Sequence, residues 1–263
     1  MNILETICEN KRKEIARQKE AVPLSYLKDI SFEQTRKVIS FKQSLLQSKT
    51  GIIAEFKRRS PSKGLIHPDA NIQKIIAGYE QAGASAISCL TDENFFGGSF
   101  SDFSQARSLL TKVPLLRKDF MIDEYQIYQA KVMGADVILL IAACLSLEES
   151  LHFSKIAHEL GMEVLLEIHN EEELAYIQPE VDVVGVNNRN LKTFQTDIQH
   201  TIELANQIPS EYVKISESGI SEAETVIKLR EEGFQGFLMG ENFIKTENPA
   251  EALTKFITEI ARG

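Results

Sequence analysis

The sequence is short of the features that define several large classes of protein. Its three cysteines, Cys8, Cys89 and Cys144, are odd in number, far apart and never in a CxxC pair, which fits reduced, buried thiols better than a disulfide or zinc framework. The five histidines form no HxxxH or HxH cluster, so no metal site is expected. Apolar runs are short: the longest, such as Val137 to Leu145, fall far below the roughly 20 residues that span a bilayer. The amino-terminal stretch MNILETICENKRKE turns charged almost at once and lacks the apolar core of a secretory signal, so a cytoplasmic protein is expected. Positive charge is in deficit. With 29 Lys and Arg against 38 Asp and Glu, the net charge is −9, and no basic field is available to gather nucleic acid or an anionic membrane. No GxxxxGK[ST] occurs and no GxGxxG follows a strand-like run, which removes P-loop and dinucleotide readings. Any anion site must be local.

What remains is 263 residues, 43% of them apolar, enough for two ordinary domains or one α/β barrel. A repeat decides between them. Gly83, Gly134, Gly161 and Gly233 each end a helical pattern and precede a short apolar run, as expected of glycines that close helices at positive φ. Their spacings are close to two, one and three multiples of about 25 residues. About eight such modules fit between Ile52 and the carboxy terminus, the number that closes a parallel barrel. Strands are predicted at 52–56, 85–90, 113–117, 136–141, 163–168, 182–187, 213–216 and 236–240. Ser146 with Glu149, and Ser221 with Glu224, fit helix-starting capping boxes. The structural rival is an open doubly wound sheet. Before the first strand, Leu4, Ile7, Cys8 and Ile15, then Phe41, Leu45 and Leu46, recur at helical spacing. Residues 1–50 are thus expected to form a helical extension packed on a barrel of residues 51–263, within one structural domain.

Barrel chemistry sits where strands end and loops begin. The first strand ends in Glu55, Phe56 and Lys57, followed by Arg58, Arg59 and Ser60; the third runs through Arg117 into Lys118 and Asp119. The fifth carries Glu167, the sixth gives Asn187, Asn188 and Arg189, and the seventh gives Ser216, Glu217 and Ser218. Each charge alone could be a solvated rim group or half of a structural ion pair. Four of them, Glu55, Lys57, Lys118 and Glu167, in or just after apolar strands point to proton transfer, because burying charge without purpose is costly. Ser218-Gly219-Ile220 and the Gly240-Glu241 junction follow the last two strands, where backbone amides freed by glycine commonly face a phosphate. Ser60, in RRSPSKG, could add a hydroxyl, although a simple turn is the commoner fate of such a segment. Phe95, Phe96 and Phe120 flank the same loops and offer a wall for a flat apolar ligand part. His169 is expected to stabilise the loop after the fifth strand.

In order and spacing, IIAEFKRRSPSKG, LRKDF, LLEIH, VGVNNRNL, ISESGI and MGE resemble the indole-3-glycerol phosphate synthase family, from about residue 2 to the carboxy terminus. The resemblance implies a (βα)8 barrel with an amino-terminal helical segment. It also implies conversion of 1-(2-carboxyphenylamino)-1-deoxyribulose 5-phosphate into indole-3-glycerol phosphate, carbon dioxide and water, with no cofactor. By position, Lys118 would protonate the substrate ketone during ring closure, and Lys57 would hold the anthranilate carboxylate. Glu167 would accept the proton in the dehydration, Glu55 would position Lys57, Asn187 would hold a hydroxyl, and Glu217 would support the network. Which lysine is the acid in the dehydration stays open. Arg189 would contact the hydroxyl or carboxylate region. Ser60, Ser218, Gly219, Gly240 and Glu241 would surround the phosphate, and Phe96 and Phe120 would pack the aromatic ring. The chain departs from the commoner family wording in TDENFFGGS, in the FI after MGEN, and at Asn190, where an Asp is frequent.

Three rivals stand beside this reading: another phosphosugar barrel such as phosphoribosylanthranilate isomerase, a Schiff-base aldolase using Lys57 or Lys118, and a non-enzymatic binding protein. The partner expected is a phosphorylated small molecule, and the assembly a monomer or weak homodimer. Holding an anion against a net charge of −9 calls for a locally basic mouth.

Overall fold

Near-continuous apolar runs need cover on both faces, and a barrel wrapped in helices supplies it. In the computed structural model, which describes residues 3–189 and 196–262, eight parallel strands close into such a barrel. They are β1 (Ile52–Phe56), β2 (Ala86–Leu90), β3 (Leu115–Lys118), β4 (Val137–Ile141), β5 (Glu163–Ile168), β6 (Val183–Asn187), β7 (Val213–Glu217) and β8 (Gly236–Met239). Each pairs with its neighbours in sequence. β8 returns to β1 through Ile52↔Phe237, Ile53↔Leu238 and Ala54↔Met239. Alternation sends Ile53, Leu116, Leu139, Leu165, Ile215 and Leu238 into one packed cluster, while Ile52, Ala54, Ile87, Leu115, Ile138 and Phe237 join the larger cluster shared with the helices. The doubly wound alternative is excluded by closure.

The repeat has the expected physical basis. Gly83, Gly134, Gly161 and Gly233 have φ of 94°, 83°, 75° and 89°, the left-handed region where a Cβ is penalised. Ser146 and Glu149 form the expected capping box. Ser221 and Glu224 do not. That helix begins at Ala223 with Glu222 at its N-cap and no side-chain cap, because Ser221 stays in the turn after β7, where its carbonyl accepts from Asn242 Nδ2 at 3.2 Å. β4 and β6 each start one residue later than predicted. Asp136 and Asp182 precede them, and their carboxylates accept the backbone N–H of Leu115 and Val164, both at 2.8 Å.

The extension divides between the two ends of the barrel. Helix α1 (Ile3–Ala21) brings Ile3, Leu4 and Ile7 to the cavity at the strands' carboxy ends. Helix α2 (Leu24–Phe32) lies beside the helix at Glu124–Val132, with Lys28 Nζ 3.3 Å from Glu124 Oε2. Helix α3 (Phe41–Gln47) plugs the other end, burying Phe41 and Leu45 among Ile53, Ala86, Val137 and Val183. Leu46, expected on the same face, is 49% exposed, since one residue along a helix turns its side chain about 100° away. Cys8 and Cys89 are buried, whereas Cys144 is half-buried, with its Sγ 3.7 Å from Cys8 Sγ. RRSPSKG is more than a turn: Arg59–Ser60 and Gly64–Leu65 pair as a short antiparallel hairpin. Asn190 lies outside the described residues.

Candidate active site

The strand ends enclose a cavity of about 450 Å³. Glu55, Lys57, Lys118, Glu167, Asn187 and Glu217 line it, together with Ser60, Phe96, Phe120, Arg189, Ser218, Gly219, Gly240 and Glu241. Every site residue singled out from the sequence therefore meets in one place. Of the neighbours named with them, Phe95 does not face the cavity. Arg58 instead pairs with Asp102 at 2.5 Å and lies over the Phe56 ring.

The deep wall is ionic. Glu55 and Lys57 are two residues apart, so the strand's alternation keeps them on one side, and Lys57 Nζ donates to Glu55 Oε1 at 2.7 Å. Lys118 Nζ sits between two carboxylates, 3.1 Å from Glu167 Oε2 and 2.6 Å from Glu217 Oε2. Asn187 Nδ2 donates to Glu167 Oε1 at 3.1 Å, and its Oδ1 accepts the Arg189 N–H at 3.0 Å. The Arg189 guanidinium then reaches Ser62 Oγ at 3.2 Å. A small neighbour makes room for Glu217: a Cβ on Gly185 would lie 2.2 Å from Glu217 Oε1.

Burial and charge pull these groups in opposite directions. Desolvation alone would lower the Lys118 pKa, but Glu217, Glu167 and Glu55 overcome it and raise it, so the ammonium is held protonated. Desolvation would raise Glu167, yet Lys118, His169 and Asn187 hold it well below the usual carboxylate range. Glu217 goes the other way. Its burial and the charge of Glu167 outweigh Lys118 and push it up to about 7. Two adjacent carboxylates with proton affinities driven apart around one ammonium are fit for acid–base chemistry.

The opposite rim has a different character. Ser218 and Gly219 both adopt positive φ, 68° and 71°, which is uncommon for a non-glycine and typical of strained functional loops. Buried Asn188 fixes that turn: its Nδ2 donates to the Ser218 carbonyl at 2.5 Å and to Ser216 Oγ at 3.1 Å, while the Thr201 hydroxyl donates to its Oδ1. Gly240 packs on β1, where a Cβ would come within 2.9 Å of Glu55. The helical turn Glu241–Ile244 follows, with Lys245 on the cavity wall and Lys63 Nζ 4.0 Å from Glu241 Oε1. Phe96 and Phe120 form the apolar wall, with ring centroids 5.9 Å apart and planes at 37°.

The cavity is less one-sidedly basic than the net charge led us to expect. Lys57 and Lys118 are matched by Glu55, Glu167 and Glu217, and the less neutralised cations, Lys63, Lys245 and Arg189, lie toward the rim. Lys63, Lys245, the tethering role of Asn188 and the α1 residues Ile3, Leu4 and Ile7 were not foreseen. Lys63 was within reach of inference, since it shares RRSPSKG with Ser60. The apolar face of α1 gave no such signal, because it reads the same over a barrel mouth as over a core.

Fold and site together define a (βα)8 barrel with a buried cluster of acid and base groups at its strand ends. The family model described as indole-3-glycerol phosphate synthase matches residues 4–256. The chain belongs to that family. The indole-3-glycerol phosphate synthase of Bacteroides thetaiotaomicron is 52% identical over 259 residues, covering 98% of this chain and 99% of the relative. That of Caldanaerobacter subterraneus subsp. tengcongensis is 41% identical over 263 residues, covering 99% and 100%. Among solved structures, 3-hexulose-6-phosphate synthase from Salmonella typhimurium superposes with a TM-score of 0.65 at 12% identity, over 81% of this chain and 99% of that one. Tryptophan synthase subunit alpha from Legionella pneumophila gives 0.62 at 13%, over 84% and 97%. At such identities these two share the fold alone.

Proposed function

We propose that this chain closes the pyrrole ring of indole-3-glycerol phosphate, converting 1-(2-carboxyphenylamino)-1-deoxyribulose 5-phosphate to that product, carbon dioxide and water, with Lys118 as general acid. The observation that carries the reading is the Lys118 ammonium clamped between Glu167 and Glu217 at the cavity floor. A ketone is a poor electrophile until its developing alkoxide is protonated, and the donor must lie about 3 Å from that oxygen. When the anilino ring carbon attacks, Lys118 delivers that proton. Loss of carbon dioxide returns its bonding electrons to the ring. Water then leaves with a proton from a lysine, as Glu167 accepts the proton lost from the ring system.

Lys57, steadied by Glu55, holds the anthranilate carboxylate. Asn187 and Arg189 hold the hydroxyl region, and Phe96 and Phe120 pack the aromatic ring. Ser60 and the amides around Ser218, Gly219, Gly240 and Glu241 receive the phosphate, with Lys63 and Lys245 beside them. A Schiff-base role for Lys118 fits poorly, because that chemistry needs a neutral amine and two carboxylates keep this one charged. Residues 1–50 and the barrel act as one domain, since α1 walls the cavity that the barrel builds. The assembly is a monomer or weak homodimer in a cytoplasmic setting, where thiols 3.7 Å apart stay unbridged.

The test is to add the carboxyphenylamino-deoxyribulose phosphate and follow indole fluorescence; no signal at micromolar enzyme overturns the proposal. Lys118→Ala should lower turnover by roughly 10²- to 10⁴-fold with the fold retained. Trapping of wild-type enzyme by borohydride with substrate would instead support the aldolase.

A further inference from the structure

We infer that His169 is a positioning residue for this reaction: a buried ring, anchored by Glu173, that fixes the orientation and ionisation of the Glu167 carboxylate. The inference rests on the role proposed for Glu167. Alternation along β5 and its continuation places residues 167 and 169 on the same side. His169 Nε2 lies 3.2 Å from Glu167 Oε1, and its Nδ1 lies 3.3 Å from Glu173 Oε2. Glu173 is itself tied down. Its Oε2 accepts the His169 backbone N–H at 2.7 Å and its Oε1 accepts Asn170 Nδ2 at 2.9 Å, at the start of the 3-10 turn Glu171–Tyr176. The His169 carbonyl meets His200 Nε2 at 3.2 Å. Both ring nitrogens therefore face carboxylates, and the loop holds the ring from behind.

A ring in that setting is an imidazolium. Burial opposes the charge, but Glu167 and Glu173 outweigh it and push the pKa up to about 10. Near neutral pH such a ring neither takes up nor gives up a proton, so it acts through Glu167. Its Nε2 contact is close but poorly aligned for a hydrogen bond, which makes the charge matter more than the donor. Glu167 also faces Lys118 from β3, Asn187 from β6, and Cys144 from the turn after β4, whose thiol is pushed up chiefly by Cys8 and by burial, with Glu167 adding to them. Across Lys118 stand Glu217 from β7 and Glu55 from β1. Lys118 is shared among three carboxylates, whereas His169 offers its Nε2 to Glu167 alone. Without His169, the carboxylate keeps Lys118 on Oε2 and Asn187 on Oε1 but loses one of its two positive neighbours, and its proton affinity rises.

The experiment compares steady-state pH profiles of His169→Gln, Glu173→Gln and Glu167→Gln with the wild type, alongside thermal unfolding of each. For His169→Gln we expect kcat to fall about tenfold or more with KM little changed. The acidic limb of its kcat profile should move up by about one pH unit or more, the shift that one nearby opposite charge supplies. Glu173→Gln, which keeps the ring and loses its anchor, should move both quantities in the same direction by less, and it reads the inference even if His169→Gln fails to fold. A lowered melting temperature with kcat and the pH limb unchanged would mean that the ring only braces the loop, and would overturn the inference. If Glu167→Gln retains turnover, the assignment of Glu167 fails and this inference with it. Collapse of Glu167→Gln beside wild-type behaviour of the other two overturns this inference alone.

Discussion

Asn188 shows how one side chain can hold a binding surface without touching a ligand. A serine at φ 68° stays in that conformation only where its surroundings over-determine it, and Asn188 supplies the restraint through the Ser218 carbonyl and Ser216. Asn188→Ala leaves the half-buried Ser218 carbonyl and the buried Ser216 hydroxyl short of a partner, while the Thr201 hydroxyl keeps the Asp197 carbonyl at 3.2 Å, at a cost of about 1–3 kcal/mol. The Ser218-Gly219 turn should then relax, so we expect KM to rise several-fold while kcat changes little, measured by steady-state kinetics; an unchanged KM would show that the turn holds itself. At this scale the sequence was legible for groups whose chemistry is written in their type. Lys118, Glu167 and Glu55 are charges in apolar strands, and such charges call for a reason. Asn188 could be seen to stand at a strand end, but its task could not, because a tether is defined by partners 28 and 30 residues away. From its place one residue past a strand, His169 reads as a loop brace; its contact with Glu173 fits that, and its contact with Glu167 adds a second role.

Among the elements, the strands and their order were the most legible, since a repeat of apolar run and helix-closing glycine allows few closures. The helical nature of the extension was visible as well. Its division between the two barrel ends was not, because helical periodicity gives a face and no address. What fixes α1 over the mouth is Lys11, 3% exposed, whose Nζ lies 3.0 Å from both Asp92 Oδ2 and Asp119 Oδ1 and 2.7 Å from Glu14 Oε2. Asp92 caps the turn carrying Phe96, and Asp119 follows Lys118, so one ammonium ties the extension to both sides of the aromatic wall. Removing it leaves buried carboxylates without their counter-charge, and Lys11→Met should destabilise the fold by about 3–5 kcal/mol in urea unfolding. Asp119 retains Arg117 at 3.1 Å and Thr91 at 2.6 Å, so Asp92 is the orphan. Lys11→Met with Asp92→Asn should therefore recover part of the loss; a double variant no more stable than the single one would argue that packing, not charge, is what Lys11 supplies.

For the whole molecule, the acidic balance, which argues against a nucleic-acid or anionic-membrane partner, becomes a question of where charge is kept. Besides Lys118, whose raised affinity acts only above the ordinary lysine range, the buried site holds two groups whose proton affinity rises on folding, and their signs agree. Glu217 is pushed up to about 7, so the folded state keeps a proton that the unfolded chain releases in the ordinary carboxylate range. Its contribution to stability is full below that range and is lost as pH rises through 7. His169, raised to about 10, contributes fully below the ordinary histidine range and loses that contribution as pH climbs toward 10. Glu167, held low, has the opposite sign, but its window lies below the ordinary carboxylate range and closes before the others open. The unfolding free energy of the wild type should thus decline from pH 5 to pH 9, less steeply above pH 7, where the Cys8 thiol, lowered to about 7 chiefly by the Cys144 side chain, works against the His169 loss. Glu217→Gln should flatten the first part of that decline and His169→Gln the second, because each variant removes one titration from the folded state. Urea midpoints measured at half-unit intervals separate the two windows, and curves for both variants running parallel to the wild type would show that neither proton is held by folding.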